Sequence, residues 1–378
     1  MKDGFKIRIF QPIVPEYRVA LFDGVAERYD GRVEIWAADR IGRDVSYSLT
    51  KMRYDYAHQL KKIGPFVWQK RLSLKGLQKG DVVVVCGDVR QLSSLWIALQ
   101  AKRHGIAVVW WGHHRTATSS GIAVKVRLAI AKKMSDLFLA YTRTGIEYLS
   151  ACGFKRDRVF ATGNTIDQTP IRSAITEWTP AKLAKFQETQ GIQGKNVLVC
   201  CSVLRPKVRL DLAIKALASE ALSDVWLTVI GEGSEREAYQ ALATELCVAD
   251  RIKWIGATRD QMVMAPWFMS AKAFIYPGSI GLSILHSFSY GLPVVTHGNV
   301  NHQMPEFEVM EDGCTGCCFE EGNVADLVRK LRLLLSDEEA RLRMSKYCKS
   351  LAFEKYSMRQ MVMNYCDAVD AAHKIVKL

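Results

Sequence analysis

The residues best placed to do chemistry in this chain lie in a glycine-punctuated stretch, Ala273-Phe-Ile-Tyr-Pro-Gly-Ser-Ile-Gly-Leu-Ser-Ile-Leu-His-Ser-Phe-Ser-Tyr-Gly-Leu-Pro-Val-Val-Thr296. The pattern reads as strand, glycine loop, short helix and strand. A glycine loop that feeds a helix start leaves backbone N–H groups free and turns the positive end of the helix dipole toward an anion. Gly278, Ser279, Ile280, Gly281, Leu282 and Ser283 are therefore candidates to hold a diphosphate, against the plainer reading of a strand-to-helix turn. A second pair, Gly231 and Gly233 in Val229-Ile-Gly-Glu-Gly-Ser234, ends an apolar run and precedes a Glu-rich helical stretch. Glycines there permit a tight turn and close approach of backbone to a ligand. The pair lacks the third glycine of a dinucleotide fingerprint and sits in mid-domain, which disfavours an NAD-dependent enzyme.

Other polar groups follow predicted strands. Ser202-Val-Leu-Arg-Pro-Lys-Val-Arg209 offers Arg205, Lys207 and Arg209, and Trp111-Gly-His-His-Arg115 offers His113 and His114. The loop from Gln11 to Phe22 offers Glu16, Tyr17 and Arg18; Arg18 is read either as a phosphate contact or as helix-surface charge. No Asp-x-Asp cluster stands at a strand end to hold a metal. Cys314-Thr-Gly-Cys317 has no second pair spaced to complete a zinc site. The ten cysteines are scattered, several inside predicted core elements, as free thiols in a reducing compartment are.

The elements that must position these groups alternate. Short β-branched runs near Lys6 to Phe10, Val33 to Trp36, Asp81 to Cys86, Ala107 to Trp111, Leu137 to Ala140 and Val159 to Ala161 are separated by helical periodicity. The alternation restarts near Asn196 to Cys201, Trp226 to Ile230, Ile252 to Ile255, Ala273 to Tyr276 and Pro293 to Thr296. This is the pattern of an α/β fold with two Rossmann-like, doubly wound domains, expected to face a cleft at their carboxyl edges. The join falls near Gly163 to Pro180, giving domains 1–170 and 171–378, with the last helix free to pack on either. A length of 378 residues agrees with two cores rather than one.

With 49% hydrophobic and 24% charged residues the composition is that of a globular protein. Every apolar stretch is far shorter than the ~20 residues of a membrane span, and the N-terminus enters a strand without a secretory pattern, so a cytoplasmic location is expected. The net charge of +13 is unevenly placed: residues 1–170 hold 28 Lys or Arg against 15 Asp or Glu, and residues 171–378 hold 24 of each. Such asymmetry directs the first half toward a polyanion. Tyr56 to Gly80 has six Lys or Arg, no acid, and Phe66 and Trp68 among them, and the Gly121 to Ser135 helix adds Lys125, Arg127, Lys132 and Lys133. Interleaved aromatics suit an anionic membrane surface. Groove-reading or base-stacking motifs of nucleic-acid binders are missing from the sequence.

In the order of its motifs the chain resembles GT-B glycosyltransferases, specifically the retaining family-four group of bacterial polysaccharide and glycolipid enzymes. The resemblance is carried by Ile230-Gly-Glu-Gly233, then Pro277 to Val295, then Pro305-Glu306 with Gly313 and Gly316, and is strongest from Asn196 to Leu335. It implies transfer of a sugar from a nucleotide diphosphate, UDP or GDP, to a saccharide or lipid-linked saccharide, with no obligatory metal or other cofactor. It also implies that a basic pair after the first strand of the second domain neutralises the donor diphosphate. Val208 stands where the family's lysine is expected, so Arg205 and Lys207 take that role. His113 matches a histidine near the transferred sugar, and Glu16, Tyr17 and Arg18 then face acceptor or phosphate. The family's two glutamates, seven residues apart, are replaced by Gly278 and His286, which leaves His286 to bond a ribose hydroxyl and the loop to hold its sugar through backbone groups. A sugar-nucleotide epimerase, an inverting transferase and a non-catalytic scaffold are the alternative readings.

Overall fold

The computed structural model describes residues 4–37, 54–55, 60–113 and 121–377. The chain divides into two compact units, Met1–Asn164 with Met358–Leu378, and Thr165–Ser357.

The first unit contains β1 (Ile7–Gln11), β2 (Val33–Ala37), β3 (Tyr54–Asp55), β4 (Leu60–Ile63), β5 (Phe66–Gln69), β6 (Val82–Cys86), β7 (Ala107–Gly112), β8 (Leu137–Ala140) and β9 (Val159–Ala161). Seven of them form a sheet in the order β3-β2-β1-β6-β7-β8-β9, every pair parallel. The run of four valines in β6 shows why. Val82 and Val84 pack with Leu21 and Tyr365 on one face, Val83 and Val85 with Ile97 and Leu128 on the other, so no position faces water and no polar alternation appears. Each buried valine contributes about 2 kcal/mol of transfer free energy. The final helix, Met358–Lys377, belongs to this unit, its Met361, Tyr365, Ala368 and Ala372 forming one apolar stripe in the same core.

The second unit contains β10 (Asn196–Cys201), β11 (Val225–Ile230), β12 (Ile252–Gly256), β13 (Ala273–Ile275), β14 (Val294–His297) and β15 (Gly316–Phe319), a parallel sheet in the order β12-β11-β10-β13-β14-β15. The chain winds from β10 outward through β11 and β12, then returns to build β13, β14 and β15 on the other side. The reversal therefore lies between β10 and β13, and in the first unit between β1 and β6. The loops at the carboxyl ends of such neighbouring strands are where open α/β sheets bind ligands.

Three strand regions were not among the sequence expectations. β4 and β5 form an antiparallel hairpin turning at Gly64 (φ 58°), inside the Lys-rich segment. β3 extends one edge of the first sheet, and β15, Gly-Cys-Cys-Phe, closes the second.

Candidate active site

In the second unit three loops stack over the reversal point. Leaving β10, the chain makes a 3-10 turn, Pro206–Val208, and Arg209 adopts a left-handed conformation (φ 53°) before the helix Leu210–Leu217. Leaving β13, it passes through Gly278 to the short helix Ser283–Ser289. The two loops are joined by Gly278 N–H donating to Val208 O at 2.9 Å and Ser279 N–H to Lys207 O at 3.0 Å. A Cβ on Gly278 would overlap the Lys207 carbonyl oxygen. The loop after β11 is seated the same way: a Cβ on Gly231 would overlap Ser202 O, one on Gly233 would overlap Leu204 O, and Leu204 N–H donates to Glu232 O at 2.9 Å. Glycine at these three places lets backbone touch backbone.

What this stacking leaves available differs from the sequence expectation. Gly278, Ser279 and Ile280 were expected to offer free N–H groups, but the first two serve the loop pairing, and Ile280 N–H donates to Gln303 Oε1 at 2.8 Å. Ile280 is itself fully buried. The loop residues whose N–H groups meet no protein acceptor among the described residues are Gly281, Leu282 and Ser283, all half-buried. Gln303 was missed by the sequence reading; it is buried and also donates to Thr296 Oγ1 and His297 O, bracing the loop from β14. Buried Glu306 backs Gly281, where a Cβ would stand 3.7 Å from its Oε2. Arg205 and Lys207 are exposed with no acidic partner among the described residues, whereas Arg209 is paired with Asp211 at 3.1 and 3.3 Å.

His286 is not presented as a ribose contact would be. Its Nε2 lies 3.1 Å from Gln261 Oε1, which also accepts from Tyr290 Oη at 2.8 Å, and its ring meets Phe268 edge-on with centroids 4.7 Å apart. Burial pushes its pKa down to about 4, so the ring is neutral at physiological pH. The unfolded chain then binds one more proton than the native state between pH ~6.5 and ~4, so stability falls as the pH drops through that window. His286→Phe is expected to flatten that part of the acid limb by up to about 3 kcal/mol, read from urea unfolding at stepped pH. An unchanged limb would refute the assignment.

In the first unit the structure brings Arg18, Tyr17 and His113 around one aromatic cluster, with Glu16 exposed on the same turn. Glu16–Arg18 is a 3-10 turn after β1, and it turns Arg18 inward to 5% exposure, not onto a helix surface. The Arg18 guanidinium carbon lies 4.9 Å from the Trp111 ring centroid and 5.2 Å from each of Tyr17 and Tyr141. His113, exposed just after β7, stands edge-on to Tyr141 with centroids 4.6 Å apart. His114 and Arg115 lie outside the described residues. Gln11, Tyr17, Arg18, Trp111 and Tyr141 line a pocket of about 340 Å³. Tyr141 was missed because a lone tyrosine after a short strand carries no spacing signal.

Residues 182–351 match the family described as glycosyl transferases group 1. The matched stretch lies wholly within the second unit and contains all three stacked loops. Over 338 residues, 88% of this chain and 84% of the relative, the chain is 22% identical to an uncharacterized glycosyltransferase of Haemophilus influenzae. It is 28% identical to the lipopolysaccharide core biosynthesis glycosyltransferase LpsE of Rhizobium meliloti over 127 residues, 33% of this chain and 35% of that protein. The crystal structure of HepE of Anabaena in complex with UDP matches with a TM-score of 0.70, covering 97% of this chain and 100% of that one at 13% identity. That likeness shows the fold, GT-B, across both units.

Proposed function

We propose that the chain transfers a sugar from a nucleoside diphosphate to a saccharide or lipid-linked saccharide, with retention of configuration and without a metal. The observation that carries the reading is the pairing of the Arg205–Arg209 loop with the Gly278–Ser283 loop at the strand reversal of the second unit. Two unpaired cations, Arg205 and Lys207, and the N–H groups of Gly281, Leu282 and Ser283 are donors only, and a diphosphate is acceptor only. As the sugar leaves, negative charge accumulates on the diphosphate, and fixed positive charge there stabilises the transition state. The first unit supplies the acceptor side, where His113 orients an acceptor hydroxyl or bonds the sugar. UDP is the favoured nucleotide, GDP the second, in keeping with the UDP bound to HepE.

A thermal-shift panel of UDP, GDP, ADP and dTDP tests the donor site, because a ligand at 100 times its Kd stabilises by about 2.7 kcal/mol. UDP or GDP alone should raise the midpoint. Transfer from the matching nucleotide sugar should persist in EDTA and retain the donor's anomeric configuration. Binding without transfer under any acceptor would make the chain a scaffold; no nucleotide binding at all would sink the reading.

The same proposal places the protein at an anionic membrane face. Among the described residues no helix is long and apolar enough to cross a membrane. The β4–β5 hairpin exposes Ile63 and Phe66 at its tip beside Lys61, Lys62 and Lys70. The helix Gly121–Met134 exposes Ile122 and Val126 with Lys125, Lys132 and Lys133. Apolar tips among lysines suit a head-group layer, at about 1 kcal/mol per lysine. Sedimentation with phosphatidylserine vesicles should therefore exceed that with phosphatidylcholine, and Lys61→Glu with Lys62→Glu should reduce it at least tenfold. Equal retention on heparin or DNA with no vesicle binding would reverse the assignment.

A further inference from the structure

Three arginines are buried among the described residues, and two of them meet oxygen acceptors. Arg8 holds Glu34 at 2.5 Å and the carbonyls of Ser73 and Lys75, and Arg341 donates to the carbonyls of Leu334 and Leu335. Arg18, at 5% exposure, has no oxygen acceptor among the described residues: its one hydrogen-bond partner there is Met361 Sδ at 3.7 Å, and the rings of Tyr17, Trp111 and Tyr141 lie around it. A buried charge without a counter-charge costs stability. Around it, Gln11 Nε2, Trp111 Nε1 and Tyr365 Oη are also buried without a hydrogen-bond partner among the described residues. Gln11, Arg18 and Trp111 all line the 340 Å³ pocket. Every unsatisfied nitrogen there is a donor, and guanidinium and indole cannot accept. The complement of such a set is a group that only accepts.

We infer that this pocket binds an anionic group, a carboxylate or a phosphate, carried on a saccharide, so that the acceptor is an acidic sugar. The inference rests on the proposed transferase reading, in which the first unit serves the acceptor. The guanidinium takes two oxygens of the anion side by side, Gln11 and Trp111 donate to the remaining lone pairs, and the exposed faces of Tyr17 and Tyr141 stack on the sugar ring. A pocket of about 340 Å³ has the size of a small-ligand site.

The test uses the full chain and four probes: methyl β-D-glucuronide, glucose 6-phosphate, methyl β-D-glucoside and UDP, followed by tryptophan fluorescence and thermal shift. At least one anionic probe should bind tenfold or more tighter than the neutral glucoside, and which one does so identifies carboxylate or phosphate. Arg18→Met, which keeps the apolar stem, should erase that preference while its unliganded midpoint does not fall below that of the wild type. Arg18→Lys, which keeps the charge but not the fork, should retain part of the preference. The UDP shift should be unchanged in both variants. No anionic preference in the wild type, or a preference that survives in Arg18→Met, overturns the inference. Loss of the UDP shift in Arg18→Met also overturns it, since Arg18 would then serve the donor. Failure of UDP to bind the wild type strikes the transferase reading instead.

Discussion

Gly278→Ala is expected to lower the unfolding midpoint by about 6–20 °C and to abolish the nucleotide-induced shift. The added methyl would overlap the carbonyl oxygen of Lys207, a backbone atom that cannot rotate away as a flexible side chain would. To admit it, the two loops must separate, breaking the bonds from Gly278 N–H to Val208 O and from Ser279 N–H to Lys207 O. Overpacking costs about 1–3 kcal/mol and each lost hydrogen bond about 1 kcal/mol, and 1 kcal/mol is worth about 2–4 °C in a unit the size of Thr165–Ser357. The same movement carries Lys207 away from Gly281, so binding falls along with stability. Gly121→Ala is the control, because a Cβ there meets nothing within 4 Å. Differential scanning calorimetry of both variants decides it: a Gly278→Ala midpoint within 2 °C of wild type would show that the loops are not held by this contact.

Much of this architecture was legible in the sequence, for reasons that particular residues show. The valines of β6 and the apolar runs of β7 and β10 are buried on both faces, so their composition alone marks central parallel strands. The β4–β5 hairpin was not legible, because Leu-Lys-Lys-Ile carries no hydrophobic period when three of its four residues face water. β15 was hidden because the overlapping Cys314-Thr-Gly-Cys317 was read for its cysteine spacing, whereas Cys317 and Cys318 are half-buried strand residues paired with Val295 and Thr296.

At the site, motif order located the glycine loops but not their hydrogen bonds. Whether Ile280 N–H is free depends on Gln303, and whether His286 faces a ligand depends on Gln261 and Tyr290. Those partners sit 23 and 25 residues from Ile280 and His286 in positions that no motif marks. The burial of Arg18 likewise needs Trp111, Tyr141 and Met361, brought from three separate elements. Side-chain type and spacing predict which loops meet; which polar groups remain unsatisfied once they meet is a property of the packing.

Arg205→Ala and Lys207→Ala are expected each to reduce kcat for sugar transfer by about 10²–10³, the range for removing one preorganised electrostatic contact to a developing negative charge. The two cations are free to act on a ligand because neither is paired among the described residues, and the loop that carries them is fixed by two backbone hydrogen bonds to the glycine loop. Fixing the loop matters: a charge on a mobile segment must be organised during the reaction, and part of its benefit is lost. Arg209→Ala should reduce kcat less than tenfold, since Asp211 already neutralises that guanidinium. Because Arg205 and Lys207 are exposed, their removal should move the unfolding midpoint by no more than about 2 °C, which separates a catalytic loss from a folding loss. The double variant is the sharper test. If both charges act on the same diphosphate, their losses should be less than additive, because a ligand already misplaced by one deletion gains little from the other contact. Strict additivity would mean that Arg205 and Lys207 serve separate groups, and an Arg209→Ala loss as large as theirs would move the diphosphate to the helix start at Leu210.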